Sequence, residues 1–310
     1  MLFQPNKQTI PARILHEKYI VPPFSVFNTH QPYWKERTEF WNKIGLYGVN
    51  GRIFADNGLS YDNRRMSKYA TEKRGYEKKY NGTSIFSPVL AEVVYKWFTL
   101  PQSKIFDPFA GGIVRGGMAA FLGHQYVGCD INPEQVESNY EERQKLFEKY
   151  NIPGVCEWIC QDAAEYSGEK VDLVFTCPPY YNLELYTKNP KDLSNMNSYT
   201  EFIEKYTQII NLCYNVLEED RFMVWVVSDI RDKKTTEYYG LVADTIKAAQ
   251  AAGFKFYNEI ILYNETGNLA IVSGDYIDKY RKVGRQHQNI LVFYKGDPKN
   301  IKDKFGKVVE

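Results

Sequence analysis

Apolar and amphipathic stretches alternate along this chain from about residue 83 onward. Val171 to Phe175 is largely apolar and Phe222 to Val227 (FMVWVV) wholly so, and both read as buried strands. Shorter strands are predicted at 104–107, 126–130 and 156–160, and a closing antiparallel hairpin at 256–263 and 290–294. Between them lie helical spacings over 84–98, 116–122, 133–150, 198–217 and 239–252. Ser87 with Pro88, Asn132 with Pro133, and Gly253 supply start and stop signals. Strands separated by crossover helices predict an α/β fold with a mostly parallel, doubly wound sheet.

Residues 1–82 break that rhythm, with helical pattern only around Trp34 to Ile44. Arg64 to Tyr80 carries seven Lys or Arg against two Glu, interleaved with Tyr69, Tyr76 and Tyr80. A second basic stretch, KYRKVGR, runs from Lys279 to Arg285. Basic residues mixed with aromatics suit phosphate and base contacts, and equally a solvated face.

Composition narrows the class only slightly. At 310 residues with 25% charged and 44% hydrophobic positions, the chain is of ordinary globular type. No apolar run reaches the length of a membrane span, and the N-terminus lacks a signal-peptide core. Five scattered cysteines without paired spacing predict reduced thiols, no metal and a cytoplasmic location. The net charge of +1 neither demands nor excludes nucleic acid. A content of 25 tyrosines suits stacking on flat ligands, or simply a tyrosine-rich core.

Candidate chemistry gathers at strand ends. Thr176-Cys177-Pro178-Pro179-Tyr180 stops a buried strand with two prolines, giving a stiff corner that can hold a flat heterocycle by edge and face. Asp107-Pro108-Phe109-Ala110-Gly111-Gly112 follows the first core strand and opens a helix, where glycines let a ligand approach the backbone. It is neither a GxGxxG fingerprint nor a phosphate loop. Asp130 ends the second strand and Asp162 the third, suited to ribose hydroxyls and an adenine amine. Each aspartate alone is more often a helix cap, but three at successive strand ends beside the proline corner point to a site. His287 and Glu184 are further candidates, with structural roles as ready an explanation.

DPFAGG, VGCDIN, QDA and TCPPYY, in that order, resemble the S-adenosylmethionine-dependent DNA methyltransferases that modify exocyclic amines. The resemblance covers about 83–296, including the SPVL helix and HQNILVFYKG, and implies a seven-stranded Rossmann-like sheet with its last strand antiparallel. Residues 1–82 would be a small irregular extension that contacts DNA, and 297–310 a polar tail. The segment VPPFSVFNTHQPYWKERTEFW resembles phage-type members. By this resemblance Asp107 and the Pro108–Gly112 turn hold the cofactor's amino-acid part, Asp130 its ribose and Asp162 its adenine. Cys177, Pro178, Pro179 and Tyr180 form the catalytic corner, with DNA as partner, no metal or membrane, and a homodimer left open.

The implied reaction is direct methyl transfer to a flipped base stacked on Tyr180, with Tyr181 as a second platform. The Pro178 carbonyl and the side chain at 177 would orient the amine, cytosine N4 slightly ahead of adenine N6. The family carries Asp, Asn or Ser at that position, and this chain has cysteine. Cys177 then replaces serine isosterically, attacks a pyrimidine for C5 methylation, or marks a cofactor-binding protein without catalysis. An RNA methyltransferase on the same scaffold also stays open. DNA specificity falls by elimination to residues 1–82, 182–197 or 264–286.

Overall fold

The computed structural model describes residues 12–47, 86–182, 187, 189–264 and 269–308. The basic stretch 64–80 and Glu184 lie outside the described residues. In chain order the elements begin with α1 (Ala12–Tyr19), β1 (Val26–Asn28), α2 (Pro32–Ile44) and α3 (Pro88–Phe98). Next come β2 (Lys104–Asp107), α4 (Val114–Phe121), β3 (Gln125–Asp130), α5 (Pro133–Lys149) and β4 (Val155–Cys160). The chain continues with β5 (Val171–Thr176), α6 (Tyr199–Val216), β6 (Leu217–Val227) and α7 (Leu241–Ala252). Last are β7 (Lys255–Tyr263), α8 (Leu269–Tyr280), β8 (His287–Lys295) and a short α9 (Ile301–Phe305).

The predicted caps do their work. Ser87 Oγ accepts from the Leu90 amide and Asn132 from the Glu134 amide, each with proline at the first helical position. Gly253 ends α7 at φ 111°, a conformation that glycine adopts without steric cost.

One sheet runs β1-β7-β8-β6-β5-β2-β3-β4, and β8 alone is antiparallel to its neighbours. Its two faces separate cleanly by the period of two along each strand. Phe222, Val224 and Val226 of β6, with Ile290, Val292 and Tyr294 of β8, face the cluster that includes α3 and α4. Met223, Trp225 and Val227, with Leu291 and Phe293, face the cluster built on α6 and α7. Strands β2, β3 and β4 step outward in one direction, and β5 then returns to the other flank of β2. The crevice between the carboxyl ends of β2 and β5 is therefore the topological switch point.

Among the described residues the sheet has eight strands in place of the expected seven. Val26–Asn28 pairs parallel with Ile261–Tyr263, and Ile261 N–H donates to the Ser25 carbonyl at 2.8 Å. Nor is the described part of the extension irregular, because α2 packs on α3 through a charged anchor. Glu92, 2% exposed, takes Trp41 Nε1–H at 2.8 Å and a two-pronged contact from Arg37. The segment after residue 296 is not only a polar tail. Phe305 of α9 packs on Phe222 with ring centroids 5.0 Å apart.

Candidate active site

Asp107, the last residue of β2, is fully buried at the switch point. Its carboxylate accepts from Arg115 Nε at 2.6 Å and Tyr126 Oη at 2.8 Å through one oxygen. The other oxygen accepts from Thr176 Oγ1 at 2.6 Å and the Phe109 amide at 3.1 Å. All four acceptor positions are thus used within the protein. The Thr176 bond crosses from β5 to β2, tying the proline corner to the glycine turn.

Arg115 is the counter-ion of that centre. It sits in the first turn of α4, buried beside Asp107, with its guanidinium 4.5 Å from the centre of the Phe86 ring. It also donates to the carbonyls of Phe109 at 2.6 Å and Ala110 at 3.0 Å, so one side chain pins the whole turn. Burial alone would make the guanidinium easier to deprotonate, but the charge and hydrogen bond of Asp107, with Tyr126 and Cys177, together outweigh that cost and keep it protonated. The turn is fastened to β3 as well, by Ala110 N–H to the Cys129 carbonyl at 2.9 Å. A side chain on Gly128 would meet Ala110 Cβ at 2.6 Å, so only glycine permits this approach.

Gly111 has φ +52°, and nothing lies within 4 Å of where its Cβ would be. Its amide donates to Asp130 Oδ2 at 2.9 Å, while Oδ1 takes the Asn132 amide at 2.9 Å. Asp130 is partly buried, and burial pushes its carboxyl up to about 6 against the pull of those two amides. Each oxygen keeps room for one further donor, which fits a pair of ribose hydroxyls. Asp162 is engaged more fully. It caps the turn at Ala164 and pairs with Lys205 Nζ of α6 at 2.8 Å. Lys205 also donates to the Lys191 carbonyl at 2.6 Å, tying that residue to the same aspartate.

At the corner, Pro178 is buried while Cys177, Pro179 and Tyr180 are partly exposed. Both the Cys177 thiol and the Gln288 amide meet the Tyr180 hydroxyl, the latter at 3.0 Å. Burial raises the Tyr180 hydroxyl well above its ordinary range, so it stays protonated. Tyr181 does not join Tyr180 as a platform. It is 8% exposed, within 6 Å of Tyr199, Phe202 and Tyr239. Both tyrosines pack on the cluster built on α6 and α7, and the second, in the turn after the corner, is buried within it.

His287 enters through its main chain, whose carbonyl accepts from Arg285 Nε at 3.3 Å. Sequence reasoning passed over Arg115, Lys205 and Gln288. Arg115 left one signal, a charge inside the otherwise apolar and small VRGGMAAF helix. Among the described residues no group of three His, Cys, Asp or Glu is placed to hold a metal ion, and no helix is long and apolar enough to cross a membrane.

Among curated proteins nothing matches this chain. Among solved structures it is similar to TrmN from Thermus thermophilus at 14% identity and TM-score 0.43, over 68% of this chain and 49% of that one. The chain thus spans about half the length of TrmN. It is similar also to magnesium protoporphyrin IX methyltransferase (ChlM) from Synechocystis PCC 6803 with bound SAM, at 16% identity and TM-score 0.42 over 67% and 79% of the two chains. The cyclopropane synthase MmaA2 from Mycobacterium tuberculosis is 13% identical, with TM-score 0.45 over 67% and 82%. Residues 171–308, from the strand before the proline corner to beyond β8, match the family model described as DNA methylase, of the N6/N4 kind. The likeness to the N6/N4 DNA methylases is carried by residues 171–308, less than half of the chain, and S-adenosylmethionine is the cofactor that goes with it.

Proposed function

We propose that the protein methylates the exocyclic amine of a DNA base turned out of the duplex, cytosine N4 ahead of adenine N6. The hydrogen bond from Thr176 to Asp107 carries this reading, because it sets the target corner directly against the cofactor turn. S-adenosylmethionine, when bound, supplies an electrophilic methyl group. The backbone of Pro108 to Gly112 would face its amino-acid part, with Asp107 acting through the turn it fastens rather than by contact. Asp130 would take the ribose hydroxyls, and Asp162 the adenine amine, sharing its carboxylate with Lys205.

At the target side the amine's lone pair is delocalised into the ring, which makes it a poor nucleophile. Acceptors for its two hydrogens turn that lone pair out of the plane. The Pro178 carbonyl serves as one and the Cys177 sulfur as a weak second. Tyr180 would stack on the base, its ring angle fixed by Gln288. The segment that resembles phage-type members forms β1 and α2, and the reading of the chain as phage-type rests on it.

Mass spectrometry of nucleosides from cells expressing the chain, beside an Asp107→Ala control, tests this. N4-methylcytosine or N6-methyladenine is expected, and absent from the control. 5-Methylcytosine would shift the chemistry to a Cys177 nucleophile, and no modified base in DNA would sink the reading.

Asp130 gives the binding step a pH signature. Its folded carboxyl titrates near 6, above the ordinary carboxylate value of 3.8, so the unliganded fold loses stability as pH rises between the two. Cofactor needs the ionised form. Affinity measured by calorimetry should be level above neutrality and fall by up to about tenfold per unit below pH 6. An affinity that stays flat down to pH 5 would remove Asp130 from the ribose site.

A further inference from the structure

The basic stretch near the C-terminus proves to span the end of α8 and the turn that follows it. β7 runs parallel to β2 and β5, so the 264–286 excursion leaves from the same sheet edge as the proline corner. Its neck is closed by Asn264 N–H to the Gln286 carbonyl at 3.0 Å and Gln286 Nε2 to the Asn264 carbonyl at 3.2 Å. Two residues further on, Gln288 holds Tyr180. Leu269 packs where Gly284 leaves no side chain, so the start of α8 meets the returning chain there. A 12-residue helix carries its far end about 18 Å from its start.

That far end is exposed. Tyr280 is 72% and Val283 70% accessible, with Ile271 at 71% and Ile277 at 41% along the shaft. Around the tip stand Lys279, Arg281 and Lys282, with Lys279 already paired to Asp275. Large apolar side chains are rarely left so open on a surface that meets only water. A base held at Cys177–Tyr180 brings its duplex to the sheet edge from which this excursion leaves.

We propose that the tip of α8, residues 279–283, docks on duplex DNA beside the flipped base. Tyr280 and Val283 meet the base pairs flanking the gap, and Arg281 and Lys282 take backbone phosphates. Four basic residues against two acidic ones over 269–286 suit a polyanion better than a second copy of the same face. The proposal rests on the DNA methyltransferase reading, and its test separates the two.

Binding of a labelled random-sequence duplex is followed by anisotropy across a salt series, with S-adenosylmethionine affinity measured in parallel. R281Q/K282Q should weaken duplex binding about tenfold at low salt and lower the salt slope by about two. Tyr280→Ala should cost about fivefold or more in duplex affinity. Both variants should bind the cofactor as the parent does. Unchanged affinity and slope in R281Q/K282Q overturn the docking proposal, and continued DNA methylation by that variant would leave the enzyme reading intact. A parent chain that binds cofactor but no duplex overturns both. If sedimentation shows a dimer that Tyr280→Asp dissolves without change in duplex affinity, the face belongs to a second copy and the proposal fails.

Discussion

Asp107→Ala should abolish S-adenosylmethionine binding and cost the fold about 3–5 kcal/mol, the usual penalty for removing one partner of a buried ion pair. The Arg115 side chain is 6% exposed and would be left as an uncompensated cation. Tyr126 and Thr176 would lose their acceptor in the same stroke, as would the Phe109 amide at the start of the turn. Against a total stability of about 5–15 kcal/mol, such a loss brings the midpoint of a urea melt far down. A second variant separates fold from site. Asp107→Ala with Arg115→Met removes the stranded charge and should recover much of the stability, because an apolar pair of similar volume tolerates burial. Cofactor binding should not return, since Phe109 and Ala110 have lost their donor. Unchanged affinity by calorimetry in the folded double variant would detach the turn from the cofactor.

Cys177→Ser is expected to preserve or raise methylation, by up to about tenfold, because a hydroxyl oxygen accepts a hydrogen bond better than a thiol. Cys177→Ala should fall about tenfold below the parent, with the Pro178 carbonyl left to orient the amine alone. Single-turnover measurement with saturating cofactor isolates this step from binding. A serine variant as dead as the alanine one would mean that the sulfur forms a bond to the base. The neighbouring hydroxyl adds a check. Tyr180 contacts both the thiol and Gln288, so Tyr180→Phe should alter the gain seen in the serine variant if position 177 works through hydrogen bonding.

The sheet was legible where strands are buried on both faces, since FMVWVV and VDLVF can be little else. β1 was not. Three residues at a sheet edge carry no period, and VFN becomes a strand only because β7 offers it an unpaired edge. Helix α8 was missed for a related reason: its exposed Ile271, Ile277 and Tyr280 break the division into apolar and polar faces. At the site, Asp107, Asp130 and Asp162 announced themselves by their places at strand ends. Their partners did not, because Arg115, Lys205 and Gln288 arrive from elements whose spatial order only the fold determines. Tyr181 shows the converse limit. Composition makes two adjacent tyrosines look like two platforms, and the turn after the corner buries the second among Tyr199, Phe202 and Tyr239.

The place of β8 in the sheet sets a schedule for assembly. It lies between β6 and β7, so β7 cannot join the sheet before residues 287–295 arrive, and β1 cannot join before β7. Residues 26–28 therefore wait for a partner more than two hundred positions downstream, while β2, β3, β4 and β5 can zip locally. Contacts of such separation form slowly. During synthesis β2 to β5 can pair, with the Thr176 to Asp107 bond already in reach, well before Gln288 of β8 arrives to hold Tyr180.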